Sequence, residues 1–370
     1  MKIVFIGGRD IHTTGGIENY VRNLASELVR LGHEPIVFCE SQRNGEEMYC
    51  GFRVIHQKSP KSRFLCKPLL SLKAMWHTIR HIKNVDIIHL NAWPPALWSP
   101  LGRLFGRACL LQGHGLEWCQ SKYSPGQKKI LQILEHYTAW ATPNLIMCSD
   151  YQTQYFKKRY GYDAVTIPGA VILPDDEQPK SNVLERFGLQ SKRYFLLLAR
   201  LTEVKNPHYL ISAFKKASHA GYSLVIAGDN NAQPDFVNSL HQLAAGRDDI
   251  VFTGAVFGAD KEVLLRNAFA FCIPSTSEGL AITLMEAMSR KVPVIASDIP
   301  ANRELLEKAN ALWVMPESEA DLVKAIELAV DSPETLYGPV ENNYQRIANE
   351  YTWPSVAKKY VEHIKTITKQ

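Results

Sequence analysis

Short apolar runs alternate with stretches of helical spacing along this chain. The rhythm breaks once near the middle and then resumes, which leaves few architectures open. Residues 2–6 read as a buried strand. Ile17, Tyr20, Val21, Leu24, Leu28 and Leu31 then recur at the period of a helix, which Gly32 ends. Strands are predicted again at 34–39, 53–56, 85–90, 108–112 and 144–148, with helices over 67–82 and 127–140. Across 171–192 the pattern lapses into prolines and acids without a period, as a linker would. It restarts with strands at 194–199, 223–227, 250–252, 270–273 and 293–296. The helices between them fall at 208–221, 235–245, 259–267 and 280–289. Such alternation builds a mostly parallel sheet covered by helices. The predicted fold class is therefore α/β, with two Rossmann-like doubly wound domains over 1–175 and 190–350 and a lone amphipathic helix in 351–370. Two such domains facing each other would place their binding crevices around one shared cleft.

Composition narrows the setting. At 370 residues the chain exceeds what one core usually supports. No apolar run reaches the roughly 18–20 residues of a membrane-spanning helix, and the charge-free stretch 87–102 is broken by Pro94, Pro95 and Pro100. Residues 1–8 are too short for the core of a secretion signal, and Arg9 and Asp10 end them. Seven cysteines occur with no C-x-x-C pair and no histidine at zinc spacing, so a reducing, cytoplasmic setting without a structural metal is expected. Net charge is +8 over 1–175 and −3 over the remainder, which suggests different tasks for the two halves.

Residues 274–289 follow a buried strand and open a helix. Gly279 lets a ligand approach the backbone, and the amides of Gly279, Leu280 and Ala281 are expected at a helix N-terminus, where phosphate binds. Glu278 stands at the entrance of that anion site, suited to a sugar hydroxyl rather than to phosphate. Glu286 is expected two turns later on the same face, within reach of ribose hydroxyls. Alone, two glutamates eight apart read as a capping residue and a surface residue. The loop after strand 194–199 adds Arg200 and Lys205, one a fork and one a point charge, placed to neutralise a diphosphate.

Together these residues resemble the signature of retaining glycosyltransferases of family 4. The likeness lies in Glu278 and Glu286 with Gly279-Leu280 and Ala287-Met288 behind them, in Arg200 with Lys205-Asn206, in 293–297, and in 298–304. Gly15-Gly16-Ile17-Glu18 resembles the family's N-terminal glycine pair, whose backbone lies against donor phosphate and sugar. The resemblance implies the GT-B fold, the donor nucleotide in the second domain, the acceptor mainly in the first, and no metal or other cofactor. It also implies a final helix that packs back on the first domain, and a role for His114 at the transferred sugar. A divalent ion's task would fall to Arg200, Lys205 and the helix amides. Glu117 and Trp118 resemble enzymes that add rhamnose, glucose or related sugars in bacterial surface polysaccharide assembly. Three departures stand out: Lys291 where a glycine often ends the signature helix, Ala281 for Gly or Pro, and Pro168-Gly169-Ala170 for Pro-Asn-Gly.

The expected enzyme is a retaining hexosyltransferase. It moves a hexose or deoxyhexose from a nucleotide-diphosphate sugar to a polysaccharide or polyprenyl-linked oligosaccharide, as in lipopolysaccharide, capsule or exopolysaccharide synthesis. Catalysis is assigned to His114, Glu278, Arg200 and Lys205. Donor binding is assigned to Gly15, Gly16, Arg200, Lys205, Glu278, Gly279, Leu280, Ala281 and Glu286. Two alternatives stay open: a nucleotide-sugar epimerase of the same fold, and a non-catalytic nucleotide-sugar-binding partner of another transferase. A dehydrogenase is disfavoured, because Gly7-Gly8 and Gly15-Gly16 do not make G-x-G-x-x-G. Segment 58–83 carries Lys58, Lys61, Arg63, Lys67, Lys73, Arg80 and Lys83 with no acid, interleaved with Phe64, Leu65, Leu69, Leu70, Leu72, Met75 and Trp76. It suits peripheral contact with the inner face of the plasma membrane, or else a helix packed on its own domain. Nucleic acid is not an expected partner, since no recognition motif accompanies the basic charge.

Overall fold

The apolar runs of the sequence fold as the central strands of two separate parallel sheets. The computed structural model describes all residues except 14, 61–65, 116–117, 119–122, 176, 178, 232, 308–309 and 369–370. One unit comprises Met1–Ala170 with the chain from Trp353 onward; the other is Val171–Thr352.

In the first unit, strands β1 (Lys2–Gly8), β2 (Glu34–Ser41), β3 (Gly45–Tyr49), β4 (Phe52–Lys58), β5 (Ile87–Asn91), β6 (Cys109–Gly113), β7 (Asn144–Met147) and β8 (Val165–Thr166) form one sheet. Their order is β3-β4-β2-β1-β5-β6-β7-β8. Every residue of β5 and β6 is buried, as strands covered on both faces require. β3 pairs antiparallel with β4 at the edge; its exposed Glu46 holds Arg53 in a two-pronged ion pair. The helices are α1 (Gly16–Arg30), α2 (Cys66–His81), α3 (Trp93–Ala96), α4 (Ser99–Leu104), α5 (Pro125–Ala141) and α6 (Asp150–Tyr160). On one face, Leu24 and Leu28 of α1 pack with Val356, Tyr360 and Ile364 of the C-terminal helix (Trp353–Thr368) over Phe5 and Ile87. On the other, Met75 of α2, Trp93 of α3 and Phe156 of α6 cover Ile6, Ile88 and Leu111.

The second unit holds β9 (Tyr194–Leu198), β10 (Ser223–Ala227), β11 (Ile250–Gly254), β12 (Ala270–Ile273), β13 (Val294–Ser297) and β14 (Leu312–Val314), in the order β11-β10-β9-β12-β13-β14. Its helices include α7 (Val183–Arg186), α8 (Pro207–Lys216), α9 (Pro234–Leu243), α10 (Gly258–Asn267) and α11 (Ile282–Ser289). The stretch 171–192, expected as a linker, is instead part of this unit. Val171 donates its amide to the Tyr351 carbonyl at 2.9 Å, and Val183 and Leu189 are buried in its core. Its few apolar residues are too irregularly spaced to announce that burial.

The C-terminal helix is fastened to the first sheet by a polar contact inside the core. The Tyr360 hydroxyl and His89 Nδ1 share a 2.6 Å hydrogen bond between two fully buried side chains. Burial, and then the neighbouring His114, push the His89 pKa down to about 3. Since this folded value lies below the unfolded one, the contribution is complete above about pH 6.5 and declines as pH falls toward 3. Tyr360→Phe leaves a buried nitrogen unpaired and should cost about 1–3 kcal/mol. Urea melts of both forms between pH 7 and 4 test this. A variant as stable as the parent, or a parent midpoint flat across that range, contradicts the assignment.

Candidate functional site

In the second sheet the chain direction of strand progression reverses between β9 and β12, the switch point where such folds bind ligands. The loops leaving these two strands are stapled together. Asn206 sits at φ 53° in the left-handed region and is buried; its Nδ2 donates to the Pro274 carbonyl at 2.9 Å. Asparagine tolerates that conformation better than most residues. The Thr276 amide donates to the Val204 carbonyl at 2.9 Å. Lys205 Nζ donates to both carboxylate oxygens of Glu278 at 2.5 Å, and Ser275 Oγ donates to Oε1 at 2.7 Å. The Glu278 side chain is 7% exposed and that of Lys205 is 25% exposed. Leu198, Ala199, Lys205, Ser275, Glu278 and Thr283 line a small cavity beside this pair.

Arg200 stands on the same loop as Lys205, two residues beyond β9. It is exposed, and its guanidinium makes no hydrogen bond or ion pair with the described residues. The β10 loop closes in from the other side. A Cβ on Gly228 would overlap the Ala199 carbonyl oxygen, so only glycine lets these backbones pass.

Two expectations need correction. The helix begins at Ile282, with Ala281 as its N-cap, so Gly279 and Leu280 precede it. Glu278 thus belongs to the loop, and the helical spacing that was to align it with Glu286 does not apply. Glu286 lies in the second turn of α11, where Lys261 of α10 donates to its Oε1 at 2.7 Å. The two glutamates therefore anchor two separate ion pairs. Lys261, Ser275 and Gly228 were not singled out from sequence; their partners lie 25, 3 and 29 positions away. Only the Ser275-x-x-Glu278 spacing is visible locally.

The first unit places its candidates around the corresponding reversal, between β1 and β5. Gly15 is the extended N-cap of α1 and Gly16 its first residue. A Cβ on Gly15 would run into the carboxylate of Glu18, which is buried and accepts the Arg9 amide at 3.0 Å. A Cβ on Gly16 would meet nothing, so the backbone there borders open space. Gly7, at φ 110°, lets β1 end against the Asn91 carbonyl and Pro95. His114 follows β6 directly. Its Nε2 is 3.4 Å from Asn91 Oδ1, and its ring meets the edge of Tyr20 at a centroid distance of 5.0 Å. Tyr20, in turn, donates to Gln112 Oε1 at 3.1 Å. Desolvation, then the Lys67 charge, lowers the His114 pKa to about 4, so the ring is neutral near pH 7. Tyr20, in the second turn of α1, and His114 are thus neighbours. Glu117 lies outside the described residues, as do Lys61, Arg63, Phe64 and Leu65 of the basic segment.

Residues 182–346 match a family model described as glycosyl transferases group 1, and residues 14–173 match one described as glycosyltransferase family 4. An uncharacterized glycosyltransferase, MJ1607, of Methanocaldococcus jannaschii is 25% identical over 366 residues, covering 94% of this chain and 93% of that protein. A GDP-mannose:cellobiosyl-diphosphopolyprenol alpha-mannosyltransferase of Komagataeibacter xylinus is 22% identical over 369 residues, covering 97% and 92%. Among solved structures, sucrose-phosphate synthase from Thermosynechococcus elongatus superposes with a TM-score of 0.85 at 18% identity, covering 100% of this chain and 99% of that one. The fold is that of the GT-B class.

Proposed function

We propose, from the premise that this chain is a glycosyltransferase of the GT-B fold matched by family models in both halves, that it is a retaining hexosyltransferase. Its donor is a nucleotide-diphosphate hexose or deoxyhexose, and its acceptor a polysaccharide or polyprenyl-linked oligosaccharide. The observation that carries this reading is the pair of stapled loops at the β9/β12 switch point. They hold one carboxylate and one ammonium in contact, with a guanidinium on the same loop that has no partner among the described residues.

In this reading Arg200 and Lys205 stabilise the charge that develops on the departing diphosphate, without help from a divalent ion. Glu278 receives sugar hydroxyls, Glu286 the ribose hydroxyls, and the backbone of Gly279 to Ala281 borders the phosphates. In the first unit, the open backbone at Gly16 leaves room for the donor, and neutral His114 offers a hydrogen bond to the sugar. Among the described residues, this reading gives no side chain of either cluster the part of a covalent nucleophile. Front-face attack, with the leaving phosphate taking the acceptor proton, fits that set of groups. The polyprenyl-linked acceptor is supported by the name of the K. xylinus relative, and the reducing, cytoplasmic setting by the cysteine pattern. A narrower kinship with rhamnose-transferring enzymes rests on Trp118 alone among described residues.

The test is to incubate purified protein with UDP-, GDP- and dTDP-sugars and a lipid-linked oligosaccharide mixture, then assign the new linkage by NMR. The expected product keeps the donor's anomeric configuration. An inverted product refutes the retaining reading. Release of an isomerised nucleotide sugar, with no acceptor modified, establishes the epimerase alternative instead.

A further inference from the structure

We propose that the face of the first unit built by α2, α4 and α5 docks on an anionic lipid surface, with α5 as its apolar contact. The observation is a stripe of large apolar side chains turned to solvent. Along α5, Ile130, Ile133, Leu134, Tyr137 and Trp140 are 36–64% exposed. At 3.6 residues per turn these five positions fall within about 120° of arc. The opposite side of the same helix, with Glu135, Thr138 and Ala139, is the buried one. A surface helix normally has this pattern reversed, polar outward and apolar inward. Ser124 and Gln127 close a full capping box at its start, so the stripe belongs to a well-formed helix.

The apolar surface continues onto the neighbouring elements. Helix α4 touches both α2 and α5, and Arg103 Nη1 donates to the Ala141 carbonyl at 3.0 Å. At the end of α4, Leu104 is 79% and the C-cap Phe105 49% exposed, and the Phe105 ring meets Trp76 of α2 at 6.1 Å. The basic segment expected to touch membrane therefore takes part only through its outward residues. Leu70, Ala74 and Met75 of α2 are spent on the unit's own core, while Leu69, Lys73, Trp76 and Arg80 share the outer face.

Charge decides the occupant. The sequence from 48 to 134 contains thirteen Lys and Arg against two acids, Asp86 and Glu117. Helices α2 and α4 contain no carboxylate, and the one in α5, Glu135, is turned inward, where Tyr160 donates to it at 2.9 Å. Arg80 lies over the Trp76 ring at 4.7 Å, a cation with its stem along apolar surface. An uncovered apolar stripe with a basic surround and no exposed acid on its helices matches the headgroup and acyl boundary of an anionic bilayer. A second copy of this chain would bring the same positive charge against itself.

The proposal rests on the lipid-linked acceptor only for its purpose. Vesicle binding needs neither donor nor acceptor, so the two readings fail separately. The full chain is centrifuged with vesicles of phosphatidylcholine, and with vesicles containing about 30 mol% phosphatidylglycerol. Binding to the anionic vesicles is expected, with a blue shift of tryptophan emission, and little to the neutral ones. Ile133→Asp with Trp140→Asp should weaken it by at least about tenfold, and Lys73→Glu with Lys129→Glu by a similar factor. These positions are exposed, so thermal melting should stay near that of the parent, and a scrambled outcome from misfolding is detected by circular dichroism. Three results overturn the proposal: no binding to anionic vesicles, equal binding to both kinds, or binding unaffected by the apolar pair. Concentration-dependent dimers that the apolar pair abolishes, in a chain that ignores vesicles, assign the face to self-association instead.

Discussion

Glu278→Gln should reduce transfer by about 10²–10³-fold while leaving the melting temperature close to that of the parent. The substitution keeps the shape and one acceptor oxygen, so Ser275 retains its partner. What it removes is the negative charge that Lys205 grips and that the reading assigns to the sugar hydroxyls. Lys205→Met is expected to behave differently. On the same reading it deletes a phosphate-neutralising cation, so activity should fall as well, but it also strands a carboxylate that is 7% exposed. Breaking a fully buried pair costs about 3–5 kcal/mol; with Lys205 a quarter exposed, about 2 kcal/mol is the expected loss. Combining the two substitutions should restore much of that stability and none of the activity. A double-mutant cycle in chemical melts, run beside an initial-rate assay, separates the two effects. Near-parental turnover by Glu278→Gln would remove the central element of the functional assignment.

The fold was legible where burial on both faces forces unbroken apolar runs, as in β5, β6, β9 and β12. β3 escaped notice because an edge strand such as Gly-Glu-Glu-Met-Tyr carries charges where an interior strand carries valine or leucine. Sequence pattern alone puts the start of α11 two residues early. Leu280 and Ala281 have ordinary helix propensity, and nothing in their side chains marks where the bend after Glu278 gives way to helix. For the candidate site, residue types were legible and partnerships were not. Lys205 meets Glu278 across 73 positions, and Glu286 meets Lys261 across 25, distances over which no spacing rule operates.

Lys291 shows how a departure from pattern becomes intelligible in three dimensions. It follows α11 at φ 54°, the left-handed conformation that glycine adopts without strain. The lysine is held there by an ion pair to Glu341 at 2.7 Å and by the Tyr344 ring, 4.6 Å from its ammonium. The backbone requirement survives, and a surface contact offsets its cost in a residue with a Cβ.

Arg200→Ala is the second large effect expected, and it isolates function from folding more cleanly than any change at the ion pair. An exposed side chain without a partner among the described residues contributes little to stability, so the chemical midpoint should move by no more than about 0.5 kcal/mol. If the guanidinium instead waits for a diphosphate, its loss removes a charge-assisted fork from the leaving group. A decrease of about 100-fold in kcat/KM then follows, equivalent to about 2.7 kcal/mol of transition-state stabilisation. Arg200→Lys should recover only part of it, because a point charge replaces the two-pronged donor. Calorimetry with the nucleoside diphosphate alone adds a second readout. Arg200→Ala should weaken that binding, and raising the salt concentration should narrow the difference between the variants, as it does for an exposed charge. The competing view, that Arg200 is a solvated loop residue, predicts unchanged rates and unchanged nucleotide affinity. Since stability is expected to be silent in both cases, any loss of rate that appears with parental melting can be assigned to contact with the donor.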